Sequence, residues 1–261
     1  MSHRWDEKTW KEIDAHKPQV ALLPVGSTEA HGPHLPLSTD SIISQEMARR
    51  AAVELQQHEI HSLILPCVDY AITDFSKDFT GTISIRKKTF QNLLRDIADN
   101  VAAQSIPLLC IVNSHLEPDH IQAIQEFCDT YKKLPVLFPD KTKKPWGSQL
   151  TAEFKQGACH AGSYETSLVL SVREELVRSE RKELPPNPVN LAKLMKDGVK
   201  TFRDAGADQA YFGDPAGATK EEGEQTYHVL TNMIVETVLD HFKNVTRASR
   251  PQRRGRDVRG T

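Results

Sequence analysis

The chain has 261 residues, 38% of them hydrophobic, enough for one large α/β domain with a substantial core. A formal net charge of −2 argues against a nucleic-acid-binding protein. That balance is uneven: residues 246–261 carry six arginines and one aspartate, a net +5, which leaves −7 of the total −2 on residues 1–245. The basic stretch holds Pro251 and almost no apolar residue besides Val258, so a disordered tail is expected outside a domain spanning 1–245. No apolar run approaches the roughly eighteen residues of a membrane span, and Met1–Asp6 lacks an apolar signal region. These features predict a cytoplasmic protein that spans no membrane. Its four cysteines, Cys67, Cys110, Cys128 and Cys159, form no Cys-x-x-Cys pair and are expected to be reduced.

Apolar runs alternate with amphipathic ones along the chain. Val20–Val25 reads as a buried strand, followed by helical spacing over Ser41–Gln57 with Ile42, Ile43, Met47, Ala51 and Val53 on one side. His61–Pro66 is the second strand, and Thr80–Ile85 a short extra one. Lys88–Gln104 places Phe90, Leu93, Leu94, Ile97 and Val101 at helical spacing. Pro107–Asn113 is the third strand, with Cys110 as a packed core thiol. A helix over Pro118–Lys133 starts on a proline suited to its first turn, and Leu134–Phe138 is the fourth strand. Glu183–Pro188 is a loop, and a last long helix covers Lys220–Lys243. Near-continuous apolar strands between helices predict a mostly parallel sheet covered on both faces, a three-layer α/β/α fold.

Polar chemistry gathers after two of these strands. Gly26–Asp40 packs Glu29, His31, His34 and Asp40 into fifteen residues, and Asn113–Glu117 adds His115 and Glu117. In a parallel sheet both strand–helix junctions lie at the same edge, so Glu29, His31, Asp40, His115 and Glu117 can converge. Two imidazoles and three carboxylates suit a pair of borderline or hard divalent ions, and not copper(I) or an iron–sulfur cluster. Asp40, just before a helix start, is placed to bridge two ions. A third segment, Cys159–Ser167, offers His160 and Glu165. Cys159 beside His160 suggests a thiol–imidazole pair, but sequence neighbours seldom meet in the required geometry.

Gly26–Asp40 resembles the signature of the creatininase (creatinine amidohydrolase) family. Phe79–Ser84, Asn113–Glu117, His160–Ser167 and Phe212–Pro215 resemble four further motifs of that family, in the same order. The resemblance implies a metal-dependent amidohydrolase with an α/β/α fold, a small-molecule amide substrate and a hexameric assembly. It implies one ion on Glu29, Asp40 and His115 and another on His31, Asp40 and Glu117, with zinc, manganese or iron as the metal. His160 matches the family's catalytic histidine. Glu165 is then a supporting residue or a ligand in an alternative arrangement, and His34 a supporting residue.

The chain departs from that pattern at the expected substrate wall. Gln156–Cys159 stands where creatininases carry a Trp-Asp-x-Glu stretch, Leu116 where they carry Tyr, and Pro118 where they carry Asn. A wall of Asp74, Leu116, Trp146 and Gln156 points to an amide, formamide or lactam other than creatinine. A deformylase or small-peptide hydrolase on the same metal site is the alternative, and a non-catalytic metal-binding scaffold the non-enzymatic one. Lys77, Arg86, Lys87 and Lys88 are available should the substrate bear phosphate.

Overall fold

The computed structural model describes residues 2–248. Four strands, β1 (Val20–Val25), β2 (Ser62–Ile64), β3 (Leu109–Asn113) and β4 (Val136–Leu137), form one sheet in the order β2-β1-β3-β4. Every pairing is parallel, with Ala21 opposite Leu109 and Val25 opposite Asn113. All six residues of β1 and all five of β3 are buried, as strands covered on both faces must be.

Side chains alternate along these strands and so feed two separate cores. Val20, Leu22, Cys110 and Val112 point to one face. There they meet α2 (Thr39–Gln57) through Ile43, Met47 and Ala51, α6 (Ser163–Arg173) through Tyr164 and Leu168, and α8 (Lys220–Ala248) through Tyr227, Leu230 and Ile234. Ala21, Leu23, Val25, Leu109 and Ile111 point to the other face, against Phe90 and Leu94 of α3 (Lys87–Ala103) and Ile124 and Phe127 of α4 (Pro118–Thr130). The result is the expected three-layer α/β/α arrangement. Short helices α1 (Trp10–His16), α5 (Ala152–Gln156) and α7 (Leu191–Lys196) decorate it.

Several boundaries differ from those the sequence predicts. The fourth strand shrinks from five residues to two, because β4 pairs with β3 only at Leu109–Val136 and Cys110–Leu137. Thr80–Ile85 is not a strand, since its one ladder contact is an isolated bridge between Ser84 and Ala71. Val53 is exposed, because the buried stripe of α2 runs through Ile43, Met47, Ala51 and Leu55, at helical spacing on another side. The last helix continues past Lys243 to Ala248, so residues 246–248 of the expected tail are helical. The rest of that tail lies outside the described residues. Helix α6 was not foreseen: its polar start, Ser163-Tyr164-Glu165-Thr166, hides the apolar Leu168-Val169-Leu170 that follows.

One consequence of the strand order positions the site. The chain moves from β1 outward to β2, then returns to the other side of β1 for β3. The loops leaving β1 and β3 therefore part at the carboxyl edge of the sheet and open a crevice between them. The segment after β2 reaches the same edge, where Gly26 N–H donates to the Val68 carbonyl at 3.0 Å.

Candidate metal centre

The β1 loop brings Glu29 and His31 to this crevice. It crosses so close to α2 that a Cβ on Gly26 would lie 2.4 Å from the Ser41 backbone nitrogen. Asp40 lies inside the first turn of α2 and caps nothing, since no side-chain cap bond forms there. Its Oδ2 instead accepts from Ser27 Oγ at 2.7 Å and lies 3.1 Å from His115 Nδ1. His115 comes from the β3 loop, whose shape Asn113 holds by donating to the His115 carbonyl at 2.6 Å. His160 and Glu165 arrive on the turn into α6, where Ala161 adopts a left-handed φ of 53° and donates its N–H to Glu165 Oε2 at 2.7 Å.

Three groups of potential ligand atoms result, each within 4.8 Å: Glu29 with Asp40 and His115, His31 with Asp40 and Glu165, and Glu29 with His31 and His160. His115 Nδ1 lies 3.1 Å from Asp40 Oδ2 and 3.2 Å from Glu29 Oε1. His31 Nε2 lies 3.5 Å from Glu165 Oε2, 3.7 Å from Glu29 Oε1 and 3.9 Å from Asp40 Oδ2. Two ligands each about 2.1 Å from one tetrahedral ion stand roughly 3.4 Å apart, so these separations fit ions between the groups.

The imidazoles are also oriented as ligands would be. His115 Nε2 donates to the Ile72 carbonyl (2.8 Å), His31 Nδ1 to the Glu29 carbonyl (3.1 Å) and His160 Nε2 to the Ala30 carbonyl (3.0 Å). A carbonyl only accepts, so each ring keeps its other nitrogen lone pair aimed inward in the neutral state. His31 Nε2 is buried with no hydrogen-bond partner, an orphan that a cation would satisfy. The carboxylates are held likewise: Glu29 Oε2 accepts from Thr73 Oγ1, and from Ser76 Oγ at 3.0 Å.

The electrostatics express the same crowding. Burial works against ionisation of Glu29, yet His115 and His31 hold its carboxyl down at about 2. Asp40 is lowered in the same way, with burial overcome by its bond to His115 and the charge of His31. His115 is the reciprocal case: burial opposes its charge, but Glu29 and Asp40 raise it well above the ordinary value. Burial lifts Glu165 to about 7. Burial and the neighbouring His31 drop His160 to about 4. The Cys159 thiol is pushed up by burial and by Glu165, which disfavours the thiolate that a cysteine nucleophile needs.

Other expected residues fall differently. Glu117 joins none of the three groups: its two oxygens accept from the backbone N–H of Asp74 (3.1 Å) and Phe75 (3.2 Å), and burial lifts it to about 7. Glu165 stands beside His31 and Asp40 instead. His34 also stays outside, with Nε2 on Thr166 Oγ1 at 3.0 Å. The crevice widens into a cleft of about 1070 Å³. Of the expected wall only Leu116 lines it, together with Phe75, Phe154 and Phe202. Asp74 and Gln156 are exposed, and Trp146 packs partly buried against the core on the α2, α6 and α8 side of the sheet. Thr73 and Ser76 lie 44 and 47 positions from Glu29 and Ser27 lies 13 from Asp40, and all three were missed because nothing local marks a hydroxyl as serving a distant carboxylate.

The sequence profile described as "Creatininase: Creatinine amidohydrolase" matches residues 6–238. A "Mycofactocin precursor peptide peptidase" of Mycobacterium ulcerans is 30% identical over 238 residues, covering 88% of this chain and 85% of the relative. A "Creatinine amidohydrolase" of Pseudomonas putida is 24% identical over 268 residues, covering 90% and 96%. Among solved structures, "Creatininase Mn" superposes with a TM-score of 0.68 at 21% identity, covering 93% of this chain and 99% of the other. "Crystal structure of creatinine amidohydrolase (creatininase)" does so with a TM-score of 0.67 at 22% identity, covering 92% and 98%. With a profile match over nearly its whole length and the same fold, this chain belongs to the creatininase family and is a hydrolase of carbon–nitrogen bonds.

Proposed function

We propose that the chain is a single-domain amidohydrolase carrying two divalent ions, one held by Glu29, Asp40 and His115 and the other by His31, Asp40 and Glu165. The observation that carries this is the buried, unpartnered His31 Nε2 facing three carboxylates, beside a second imidazole–carboxylate group that shares Asp40. The donor set of nitrogen and carboxylate oxygen suits zinc, manganese or ferrous iron. Solved creatininases named for a manganese form and a zinc–zinc form support that choice.

Ions held there would supply Lewis acidity toward an amide carbonyl and lower the pKa of a water. The remaining work falls to the chain. His160 stacks on Phe202 (ring centroids 4.3 Å apart) and is anchored through Nε2, which leaves Nδ1, 3.9 Å from Glu29 Oε1, to carry a proton toward the departing nitrogen. Burial keeps His160 neutral at neutral pH and so ready to accept that proton first. Glu117, held by two amides at the cleft wall, is positioned to accept a hydrogen bond from substrate or water.

The cleft volume of about 1070 Å³ favours a short peptide as substrate over a compact cyclic amide, which would leave most of it empty. The peptidase name of the 30%-identical relative points the same way. A small cyclic amide, in the manner of the relative named creatinine amidohydrolase, is the second reading. A cytoplasmic homo-oligomer remains part of the proposal, on family resemblance alone.

Elemental analysis and turnover test this. Wild-type protein is expected to hold two ions per chain, Asp40→Asn to lose both, and His160→Ala to keep both while losing turnover by at least about 100-fold. Fewer than one ion per chain after metal supplementation sinks the dinuclear site. Metal loss in His160→Ala makes that histidine a ligand. Product analysis on peptides, lactams and N-formyl compounds separates the substrate readings.

A further inference from the structure

The cleft is divided by charge. All its carboxylates are buried: Glu29, Asp40 and Glu165 belong to the ligand groups, and Glu117 is held beside them by two backbone amides. Its outer wall carries five lysines and no acid: Lys143 and Lys144 on the segment before α5, Lys155 on α5, and Lys193 and Lys196 three apart on α7. These lysines are exposed, and no carboxylate lies within ion-pair distance of any of them among the described residues. The lysines that do pair, Lys87, Lys133, Lys220 and Lys243, lie elsewhere. Nor does the wall follow the charge of the molecule, since residues 1–245 are net −7.

Five unpaired like charges repel one another across one concavity. They raise the local concentration of anions most effectively inside a cleft, whose low-dielectric walls focus the field. Neutral amides gain nothing from that field. Phe75, Phe154 and Leu116 also line the cleft and offer apolar contact to a chain whose scissile bond would lie at the metal centre and whose charged groups would lie outward. The basic residues 77 and 86–88, which the sequence offered for an anionic substrate, do not line the cleft.

We propose that this lysine wall selects amide substrates bearing anionic groups on one side of the scissile bond, specifically short peptides rich in carboxylate or carrying phosphate. The proposal rests on the amidohydrolase reading above.

The test uses metal-loaded full-length protein and a proteome-derived peptide pool containing both phosphorylated and unphosphorylated members. Bound peptides are separated at 4 °C in low salt and identified by mass spectrometry. Acidic peptides are expected to be enriched over neutral ones by roughly tenfold, falling toward parity at about 0.5 M salt. Enrichment confined to phosphopeptides assigns the wall to phosphate, and enrichment among unphosphorylated Asp- and Glu-rich peptides assigns it to carboxylate. The variant Lys143→Ala/Lys144→Ala/Lys193→Ala/Lys196→Ala should lose the enrichment while keeping its metal content. Lys11→Ala/Lys88→Ala/Lys132→Ala/Lys182→Ala, which removes the same charge elsewhere, should keep it. No acidic enrichment by wild-type protein, or enrichment that survives in the cleft variant, overturns the proposal. A parallel incubation at 25 °C reads cleavage of the same pool. Binding without cleavage counts against the hydrolysis reading and leaves the anion selectivity standing.

Discussion

Glu29 shows how much of a candidate metal site lies outside its donor atoms. Its Oε1 faces His115 and His31, while its Oε2 is taken by Thr73 and Ser76. Those hydroxyls fix which oxygen points inward. Thr73→Val keeps the shape and removes the donor, so metal affinity should fall about 10–100-fold, read by competition with a chromophoric chelator. Ser27→Ala should act similarly through Asp40. Equal affinity in both variants would mean that the ions alone orient the carboxylates. Glu29, His31, Asp40 and His115 were legible in the sequence because loop residues with the right donor atoms cluster there. Their hydroxyl partners were not, because a threonine signals nothing until folding brings it across the sheet edge.

Among elements, α6 and α8 are the pair on which the third part of the site depends. Gly223 lets them close together: a Cβ there would lie 2.0 Å from the Ser167 carbonyl oxygen. Glu165 sits two residues earlier on α6, so pushing the helices apart also moves a carboxylate of the centre. Gly223→Ala is expected to cost about 2–3 kcal/mol in urea unfolding and to weaken binding of the ion beside His31. Partly buried Glu153 of α5 performs a related task, accepting N–H bonds from Ser163 (3.0 Å), Tyr164 (2.9 Å) and Asp214 (2.7 Å), which ties the start of α6 to the Gly213–Asp214 turn. Two family-like motifs, His160–Ser167 and Phe212–Pro215, are joined by this side chain and by the Phe212 N–H donating to the His160 carbonyl at 2.8 Å. The regular helices α2, α3, α4 and α8 were predictable to within five residues because apolar periodicity sets them. The register of α6 was not, because its buried polar residues serve the site rather than the core.

For the whole molecule, the metal-free centre carries a pH signature. Glu29 and Asp40 are lowered, so their contribution to stability is present above the unfolded carboxylate pKa of about 4 and is lost as pH falls toward 2. His31 and His115 are raised, so theirs is full below about 6.5 and is lost as pH rises through the folded values. Burial of Glu165, lifted to about 7, adds a cost that builds from the unfolded carboxylate pKa of about 4 and is complete by about pH 7. The metal-free centre should therefore contribute most to stability in mildly acid solution, toward the lower end of roughly pH 4.5–6.5. Divalent ions bound there would replace the lost protons above that window. Scanning calorimetry is expected to show a rise in Tm on adding zinc or manganese that grows from pH 6 to pH 8. Titration at pH 7 should release protons, detected by comparing buffers of different ionisation enthalpy. A metal-induced shift that shrinks with rising pH would contradict histidine ligation.

By itself the sequence determined the layered α/β architecture and pointed to four residues that the fold brings together at the carboxyl edge of the sheet as a candidate metal centre. These follow from local patterns: apolar periodicity, strand–helix alternation, and donor atoms concentrated in two loops. Only the tertiary structure decided that Glu165, rather than Glu117, stands beside His31 and Asp40. The reason is geometric: Glu117 is turned aside by two backbone amides of the β2 segment, while Ala161 and the first turn of α6 aim Glu165 inward. The wall of the cleft was likewise beyond sequence reading. Lys143, Lys155 and Lys193 lie on three separate segments of the chain and become one surface only when the fold brings the segment before α5, α5 and α7 to the same cleft.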